Sequence, residues 1–150
     1  MNKIFAKNKD GISKVAIDFF SFGHLLGGYL AFIILDAFFL VILDEFVILL
    51  CLFTIFLCGA IWEIIENTYL FKKNIKFGYR RDSLLNSSMD VVMLTIGGLF
   101  ASFCLELNLE TFLITSAFFF IGNILLMSIY ANLIIEFFSG LINKEERKKS

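Results

Sequence analysis

Residues 62–90 read WEIIENTYLFKKNIKFGYRRDSLLNSSMD, a polar stretch that joins two segments hydrophobic enough to cross a lipid bilayer. The stretch contains four carboxylic acids, Glu63, Glu66, Asp82 and Asp90, together with several amides. A charged side chain at the centre of a membrane helix costs about 2.5–3.5 kcal/mol, so such residues usually face a bundle interior and mark function. We therefore expect this stretch to contain both a turn between two membrane spans and part of a functional site.

The composition of the whole chain indicates a membrane protein. Of its 150 residues, 59% are hydrophobic and 20 are Phe, and the mean hydropathy is +0.84. Apolar runs lie near 15–35, 46–69, 83–105 and 112–139, each close to or above the roughly 20 residues that a membrane-spanning helix needs. We predict an all-α polytopic membrane protein, a bundle of four transmembrane helices forming a single domain over residues 1–150. Residues 36–45 are compatible with an extended first span, an interfacial segment or a re-entrant one.

The basic residues predict how the chain is oriented. All 13 lie before the first span, between the second and third, or after the fourth. The positive-inside rule then places both termini and the 70–82 loop in the cytoplasm, and we predict a multi-pass protein of the plasma (inner) membrane. The first apolar run is too long for a cleavable signal peptide, so we expect it to be retained. A net charge of -1 gives no indication of nucleic-acid binding, and membrane lipids are the expected partners.

The polar residues of the spans fall at similar depths when each residue is counted as a rise of 1.5 Å. Glu63, Asp90 and Glu136 come out roughly 10 Å below the expected inner surface, and His24 roughly 14 Å below it. A shallower group contains Asp18, Glu66, Asn67, Asp82 and Asn86. We therefore predict one polar layer near the cytoplasmic face, with contributions from all four helices.

Spacing along the helices supports this convergence. Glu63 and Glu66 are three residues apart, while Asp82, Asn86 and Asp90 are each four apart, so each set is predicted to line one helix face. The glycines of the first and third spans have no side chain and are expected to let neighbouring backbones approach closely. They are Gly23, Gly27, Gly28, Gly97 and Gly98.

Four motifs resemble a known family: SFGHLLGGY (21–29), WEIIENTY (62–69), RDSLLNSSMDVVMLTIGG (81–98) and IGNILLMSIYANLI (121–134). They resemble an uncharacterised family of short alphaproteobacterial inner-membrane proteins of unknown function. Where that family usually has Gly before its DS motif, this chain has Arg81. More distantly, the order of a His in helix one, ExxE in helix two and an acid-rich start to helix three is similar to YjdF-like and VanZ-like membrane proteins. The resemblance implies a functional set made of His24, Glu63, Glu66, Asn67, Asp82, Asn86 and Asp90, and it implies no reaction.

A His with several carboxylates suits acid–base catalysis or the binding of a divalent cation. We expect a small integral membrane enzyme, a hydrolase or transferase, that acts on a lipid or polyprenyl head group at the cytoplasmic side. The candidate catalytic residues, which are also the candidate ligands of a Mg, Mn or Zn ion, are His24, Glu63, Glu66 and Asp90. The candidate substrate-binding residues are Asp18, Asn67, Arg80, Arg81, Asp82 and Asn86.

The spacing of these residues leaves the chemistry open. The chain has one His and no HExxH motif, so a metal site and a metal-free pair of His with a carboxylate are both compatible with it. The same layer could be the structural core of a non-catalytic subunit or assembly factor. A proton or cation path would require an oligomer, because the outer half of the spans has few polar positions. Oligomeric state and protein partners are left open by the sequence.

Overall fold

The computed structural model describes residues 4–6, 8, 11–43, 47–73, 75–76, 80–132, 134–136 and 139. These residues contain four long helices: α1 (Phe19–Leu43), α2 (Ile48–Ile65), α3 (Leu84–Leu105) and α4 (Leu109–Ile129). α2 continues into a π-helical turn, Glu66–Leu70. With that turn counted in the second span, all four are long and apolar enough to cross a membrane. The predicted all-α bundle of four spans is confirmed.

The first span begins later and ends later than predicted. α1 starts at Phe19 and not near residue 15, because the Asp18 carboxylate accepts hydrogen bonds from the backbone N–H groups of Phe20 (2.8 Å) and Ser21 (3.4 Å) and so caps the helix. α1 then runs without interruption to Leu43. Residues 36–43 therefore extend the first span.

The fourth span is shifted in the other direction. α4 begins at Leu109 behind Asn108, whose side chain accepts a hydrogen bond from the backbone N–H of Thr111. It ends at Ile129 and not near residue 139. The C-cap residue Tyr130 has φ -91° and ψ -4°, and its backbone N–H donates to the Met127 carbonyl oxygen at 3.0 Å, the tighter turn that is common at helix ends. The described residues that follow, 131–132 and 134–136, return to helical geometry.

The segment before α1 packs across one end of the bundle. A parallel bridge joins Phe5 to Ile17. The buried apolar residues of the segment are Ala6, Ile12 and Val15, and Phe20, Tyr130 and Ile134 pack against them. The backbone N–H of Ser83 donates to the carbonyl oxygen of Ser13 at 2.7 Å, which ties the segment to the start of α3. Val15, predicted to begin the first span, therefore belongs to a cap over the bundle end.

α1 and α3 are in close backbone contact through two glycines. A Cβ atom added to Gly28 would lie 1.8 Å from the carbonyl oxygen of Leu94, and one added to Gly97 would lie 1.9 Å from that of Leu25. The two backbones can approach this far because neither position has a side chain. A Cβ atom on Gly23 would meet nothing within 4 Å. The predicted packing role is therefore confirmed for Gly28 and Gly97, and Gly23 does not share it.

The apolar core lies away from the capped end. Its buried residues are Tyr29, Phe32, Cys51, Ile55, Ala101 and Cys104. The Tyr29 hydroxyl lies 2.5 Å from the Ser116 hydroxyl, which connects α1 to α4. Large apolar side chains such as Val41, Leu49 and Phe118 are exposed on the outside of the bundle, as expected where lipid is the solvent.

Candidate functional site

Three ionisable side chains from three helices meet near the end of the bundle at which α1 and α3 begin and α2 ends. His24 Nε2 on α1 lies 3.3 Å from Glu63 Oε1 on α2, and His24 Nδ1 lies 4.0 Å from Asp90 Oδ1 on α3. One ligand atom of each residue falls within 4.8 Å of the other two. Glu63 and Asp90 are buried, while 22% of the His24 side chain is exposed. The structure therefore brings together three of the four predicted catalytic residues.

The Glu63 carboxylate is oriented by Asn67 in the π-helical turn. Asn67 Nδ2 donates to Glu63 Oε2 at 3.1 Å and to the Ser87 hydroxyl of α3 at 3.0 Å. Asn67 Oδ1 accepts from the backbone N–H of Asp82 at 2.8 Å and from Lys76 Nζ at 2.7 Å. π-helical turns often occur at functional sites. Asn67 thus links α2, α3 and the connection between them.

Lys76 enters this layer from the connection between α2 and α3. Only 3% of its side chain is exposed, and Nζ forms an ion pair with Asp82 and lies 3.8 Å from Glu66 Oε1. Glu66 therefore faces Lys76. Among the described residues, the group that could hold a metal contains His24, Glu63 and Asp90. The structure does not bring Glu66 into that group, although it was predicted to be a ligand.

Asp18 is completely buried at the start of α1. Besides capping the helix, its Oδ2 accepts from the backbone N–H of Ser13 at 2.9 Å and from Asn86 Nδ2 at 3.4 Å. Burial raises the pKa of Asp18 above its ordinary value, although the hydrogen bonds from backbone N–H groups oppose the shift. Asp18 has no exposed surface through which to make the substrate contact predicted for it, so we assign it a structural position.

Ser21 connects this cap to the acidic group. Its hydroxyl accepts a hydrogen bond from the backbone N–H of Asp18 at 3.2 Å and donates one to Asp90 Oδ1 at 2.5 Å. Asp90 is thereby fixed relative to the first turn of α1. The hydrogen bond from Ser21 thus helps to set the position of this carboxylate.

A small polar cavity adjoins the acidic group, and we call it the central cavity. Its volume is about 100 Å³, and it is lined by Ser13, Phe20, His24, Glu66, Lys76, Asp82, Asn86 and Asp90. Asn86 and Asp90 of α3 both line this cavity, as predicted. Asp82 also lines it, but it precedes the N-cap residue Ser83 and so does not lie on a face of α3. A volume of this size suits a few water molecules or an ion.

Two larger grooves run along either side of α2. The α1–α2 groove has a volume of about 520 Å³ and is lined by Phe19, Phe20, Gly23, His24, Gly27, Cys58, Gly59, Trp62 and Leu94. The α2–α3 groove has a volume of about 590 Å³ and is lined by Ala60, Glu63, Ile64, Asn67, Thr68, Arg81, Asp82, Leu84, Ser87, Ser88 and Val91. His24 therefore lies where an apolar groove meets the central cavity, and Glu63 faces the second groove.

The remaining predicted residues are placed less centrally. Arg81 is exposed and lines the α2–α3 groove, while Arg80 is half-buried. Glu136 is exposed beyond the end of α4, so the prediction that the fourth span adds an acid to the layer is wrong. α4 instead contributes the buried Asn123, whose Nδ2 donates to the Phe22 carbonyl oxygen at 3.3 Å.

Sequence reasoning missed the roles of Ser21, Ser87 and Lys76. Ser21 precedes His24 by three residues, and Ser87 precedes Asp90 by three, so both lie on the helix faces that bear the predicted residues. That spacing is a signal that could have identified them. Lys76 gave no such signal, because it lies among other basic residues in a connection where exposed lysines are expected.

Four helices long and apolar enough to cross a membrane, three of which share a group of His, Glu and Asp, define a multi-pass membrane protein with a candidate active or metal site. The chain belongs to the family described as protein of unknown function DUF2585, which matches residues 3–141. The predicted membership of a family of unknown function is confirmed, while the alphaproteobacterial origin and the distant relation to YjdF-like and VanZ-like proteins stay predictions. No curated protein and no solved structure matches the chain.

Proposed function

We propose that this protein is an integral membrane enzyme, a hydrolase or transferase, that acts on the head group of a lipid or polyprenyl substrate. The observation that carries the proposal is the position of His24, which lines both the apolar α1–α2 groove and the polar central cavity. An amphiphilic substrate needs this arrangement, because its hydrocarbon chain must stay in apolar surroundings while its head group reaches polar residues.

The reacting centre of this proposal is His24, Glu63 and Asp90. His24 Nδ1 lies 3.1 Å from the carbonyl oxygen of Phe20. A carbonyl oxygen can accept a hydrogen bond and cannot donate one, so Nδ1 has the proton and Nε2 faces Glu63. A metal ion between Nε2 and Glu63 would lower the pKa of a bound water molecule and so prepare it for attack on a head group. Without a metal, the unprotonated His24 Nε2 or Glu63 carboxylate would accept the proton of the attacking water as a general base. Asp90 would stabilise positive charge at this position.

The α2–α3 groove is the proposed binding site for the head group. Arg81 lines this groove together with Ser87 and Glu63, and a guanidinium group suits the recognition of a phosphate. In this arrangement Asn67 would position Glu63, and Asn67 and Asp82 would position Lys76. Asn86 donates to Asp18 and would line the central cavity, and none of the three would contact the hydrocarbon chain. Arg80 is proposed to add positive charge beside Arg81.

The proposed location is the plasma membrane, with the polar layer at its cytoplasmic side. The distribution of basic residues supports this orientation, since Lys and Arg favour cytoplasmic loops. Phosphorylated head groups in the inner leaflet would then have direct access to Arg81.

A structural polar core in a non-catalytic membrane subunit is the second candidate. The hydrogen bonds of Asn67 to Glu63, Ser87, Lys76 and Asp82 favour it, because connected polar networks can specify how helices pack. It does not account for an apolar groove whose lining includes His24. We therefore prefer the enzyme.

Lipid extracts from cells with and without the protein test the enzyme proposal. We expect deletion to change the amount of one lipid or polyprenyl class, and His24→Gln or Glu63→Gln to fail to restore it, because each removes one side of the reacting centre. Mass spectrometry of the extracts provides the measurement, and immunoblots establish that each variant is present in the membrane.

The control is Glu110→Gln. Glu110 is an exposed acid in the first turn of α4, at the opposite end of the bundle, so this variant should restore the wild-type lipids. Identical lipid profiles in the deletion strain and the wild type would contradict the enzyme and favour the structural core.

A further inference from the structure

A buried carboxylate oxygen of Glu63 and a ring nitrogen of the partly exposed His24 face each other in the polar layer. The His24 Nδ1 proton is donated to the Phe20 carbonyl oxygen, so in the neutral ring Nε2 has a lone pair and no proton. Nε2 lies 3.3 Å from Glu63 Oε1. Like partial charges at this distance repel, so the arrangement is stabilised by a positive charge between the two atoms, which is either a proton on Nε2 or a bound cation.

Glu63 Oε1 is a buried carboxylate oxygen that accepts no hydrogen bond from the described residues. Glu63 is 5% exposed, and its other oxygen, Oε2, accepts from Asn67. Within the part of the chain that the structure describes, Oε1 has no hydrogen-bond partner. It nevertheless points at His24 Nε2 inside the acidic group. A buried carboxylate oxygen that is oriented but unsatisfied is unusual, and it indicates that a ligand belongs there.

The separation of these atoms matches that of two metal ligands. Ligands about 2.0–2.1 Å from a tetrahedral zinc ion are about 3.3 Å apart, and Nε2 and Oε1 have this separation. Asp90 supplies a third carboxylate, and one ligand atom from each of His24, Glu63 and Asp90 lies within 4.8 Å of the others. Asp90 Oδ1 faces Nδ1 of His24 at 4.0 Å, so the Asp90 side chain would have to turn toward Nε2 to complete three protein ligands. Three protein ligands and one open position are the arrangement of catalytic zinc sites.

The surroundings of the three residues are those that a metal site requires. His24 donates its second ring nitrogen proton to a carbonyl oxygen, Glu63 is held by Asn67, and Asp90 accepts from Ser21 at 2.5 Å. Such second contacts orient metal ligands and fix the tautomer of the imidazole. Lys76 is paired with Asp82 and Glu66 on the other side of the central cavity, so it does not supply the positive charge at Glu63.

We propose that His24 Nε2, Glu63 and Asp90 bind one divalent metal ion and that zinc is the ion the site fits best. An imidazole ligand favours zinc over magnesium, whose usual ligands are oxygen atoms. The role of the ion in a reaction rests on the proposed function, because the open coordination position would hold a water or a head-group oxygen beside the central cavity. The binding of the ion can be tested without any knowledge of the substrate.

The test is the metal content and metal affinity of the full chain purified in detergent without chelators. Inductively coupled plasma mass spectrometry should find about one zinc per chain in the wild type. His24→Gln, Glu63→Gln and Asp90→Asn should each lose it. Glu66→Gln is the matched control, because Glu66 lies in the same layer but faces Lys76, and it should retain the ion. Size-exclusion chromatography and thermal unfolding in detergent distinguish loss of the ion from loss of the fold.

A titration of the chelator-treated wild type with Zn²⁺, Mn²⁺ and Mg²⁺ provides a second measurement that needs no ligand variant. We expect Zn²⁺ to bind tightest, and Asn67→Ala to weaken it by about 10–100-fold because it releases Glu63 Oε2. Visible absorption of bound Co²⁺ would report a tetrahedral site.

The outcomes separate this inference from the proposed function. A wild type that contains no stoichiometric metal and binds none in the titration overturns the metal site, and a proton then occupies the position between Nε2 and Oε1. Equal loss of zinc in Glu66→Gln and Glu63→Gln also overturns it. Zinc bound at His24 in a protein whose deletion leaves all lipids unchanged would preserve the metal site and refute the lipid enzyme.

Discussion

Lys76 is the side chain whose surroundings depart furthest from those of its neighbours in sequence. Lys72 and Lys73 are exposed, whereas Lys76 is buried against Asp82, Glu66 and Asn67 Oδ1. Removing one partner of a buried ion pair leaves the others desolvated and uncompensated, at a cost of about 3–5 kcal/mol. This lysine therefore stabilises the whole connection between α2 and α3.

We predict that Lys76→Met lowers the free energy of unfolding by about that amount, measured as a loss of thermal stability in detergent. The change keeps an unbranched side chain of similar length, so the effect reports the lost charge. Lys73→Met is the control, since Lys73 is exposed in the same connection and its substitution should leave the unfolding temperature within error. An equal unfolding temperature for Lys76→Met and the wild type would show that the ion pairs do not stabilise the fold.

The sequence predicted the site residues correctly where they lie within a membrane span. It did not predict contacts that depend on a second residue outside the helices. His24, Glu63 and Asp90 were identified because charged groups inside apolar spans are costly and must be used. The pairing of Glu66 with Lys76 and the burial of Asp18 depend on the path of the chain outside the helices, which no periodicity encodes. A basic residue in a loop has the same sequence signature whether it faces water or folds back over the bundle end.

The contact between α1 and α3 determines the position of His24 relative to Asp90. Two glycines, Gly28 and Gly97, make this close contact possible. We predict that Gly28→Ala and Gly97→Ala each lower thermal stability in detergent strongly, because an added methyl group would meet a backbone carbonyl oxygen at 1.8 Å or 1.9 Å. Backbone cannot move aside as a side-chain tip can, so the helices must separate. Size-exclusion chromatography should also show less of the folded species.

Gly23→Ala is the matched control on the same helix. A methyl group at Gly23 would meet nothing within 4 Å, and Ala is favoured over Gly in a helix interior by about 1 kcal/mol. The unfolding temperature should therefore stay the same or rise. If Gly28→Ala were as stable as Gly23→Ala, the close approach of the two backbones would not be a requirement of the fold.

The number of helices was predictable because the length of an apolar run reports directly on the thickness of the bilayer. Helix ends were less predictable, since they depend on capping contacts. Asp18 was interpreted as a polar residue inside the span, but it caps α1 and so marks the start of the helix. Tyr130 is an apolar residue within an apolar run, and hydropathy gives no reason for α4 to end beside it.

At the scale of the whole molecule, α2 separates two grooves, and each groove contains a residue of the polar layer. The α1–α2 groove is lined almost entirely by apolar residues, and His24 is part of its lining. The α2–α3 groove presents Arg81, Asp82 and Ser87 beside Glu63. The α1–α2 groove thus suits a hydrocarbon chain, and the α2–α3 groove suits a charged head group. A lipid that occupies both would straddle α2 near Glu63.

A bulky side chain in the α1–α2 groove should therefore block the proposed lipid reaction without displacing the proposed zinc ion. Cys58 is exposed and lines the α1–α2 groove, so Cys58→Trp would obstruct the groove from α2 without touching the three proposed ligands. We predict that this variant keeps the zinc content and unfolding temperature of the wild type but fails to restore the lipid profile of a deletion strain. Leu57→Trp adds similar bulk at an exposed neighbouring position of the same helix outside the lining of that groove, and it should restore the profile. Equal complementation by both variants would mean that the substrate does not enter between α1 and α2, and the presence of His24 in the lining of that groove would need another explanation.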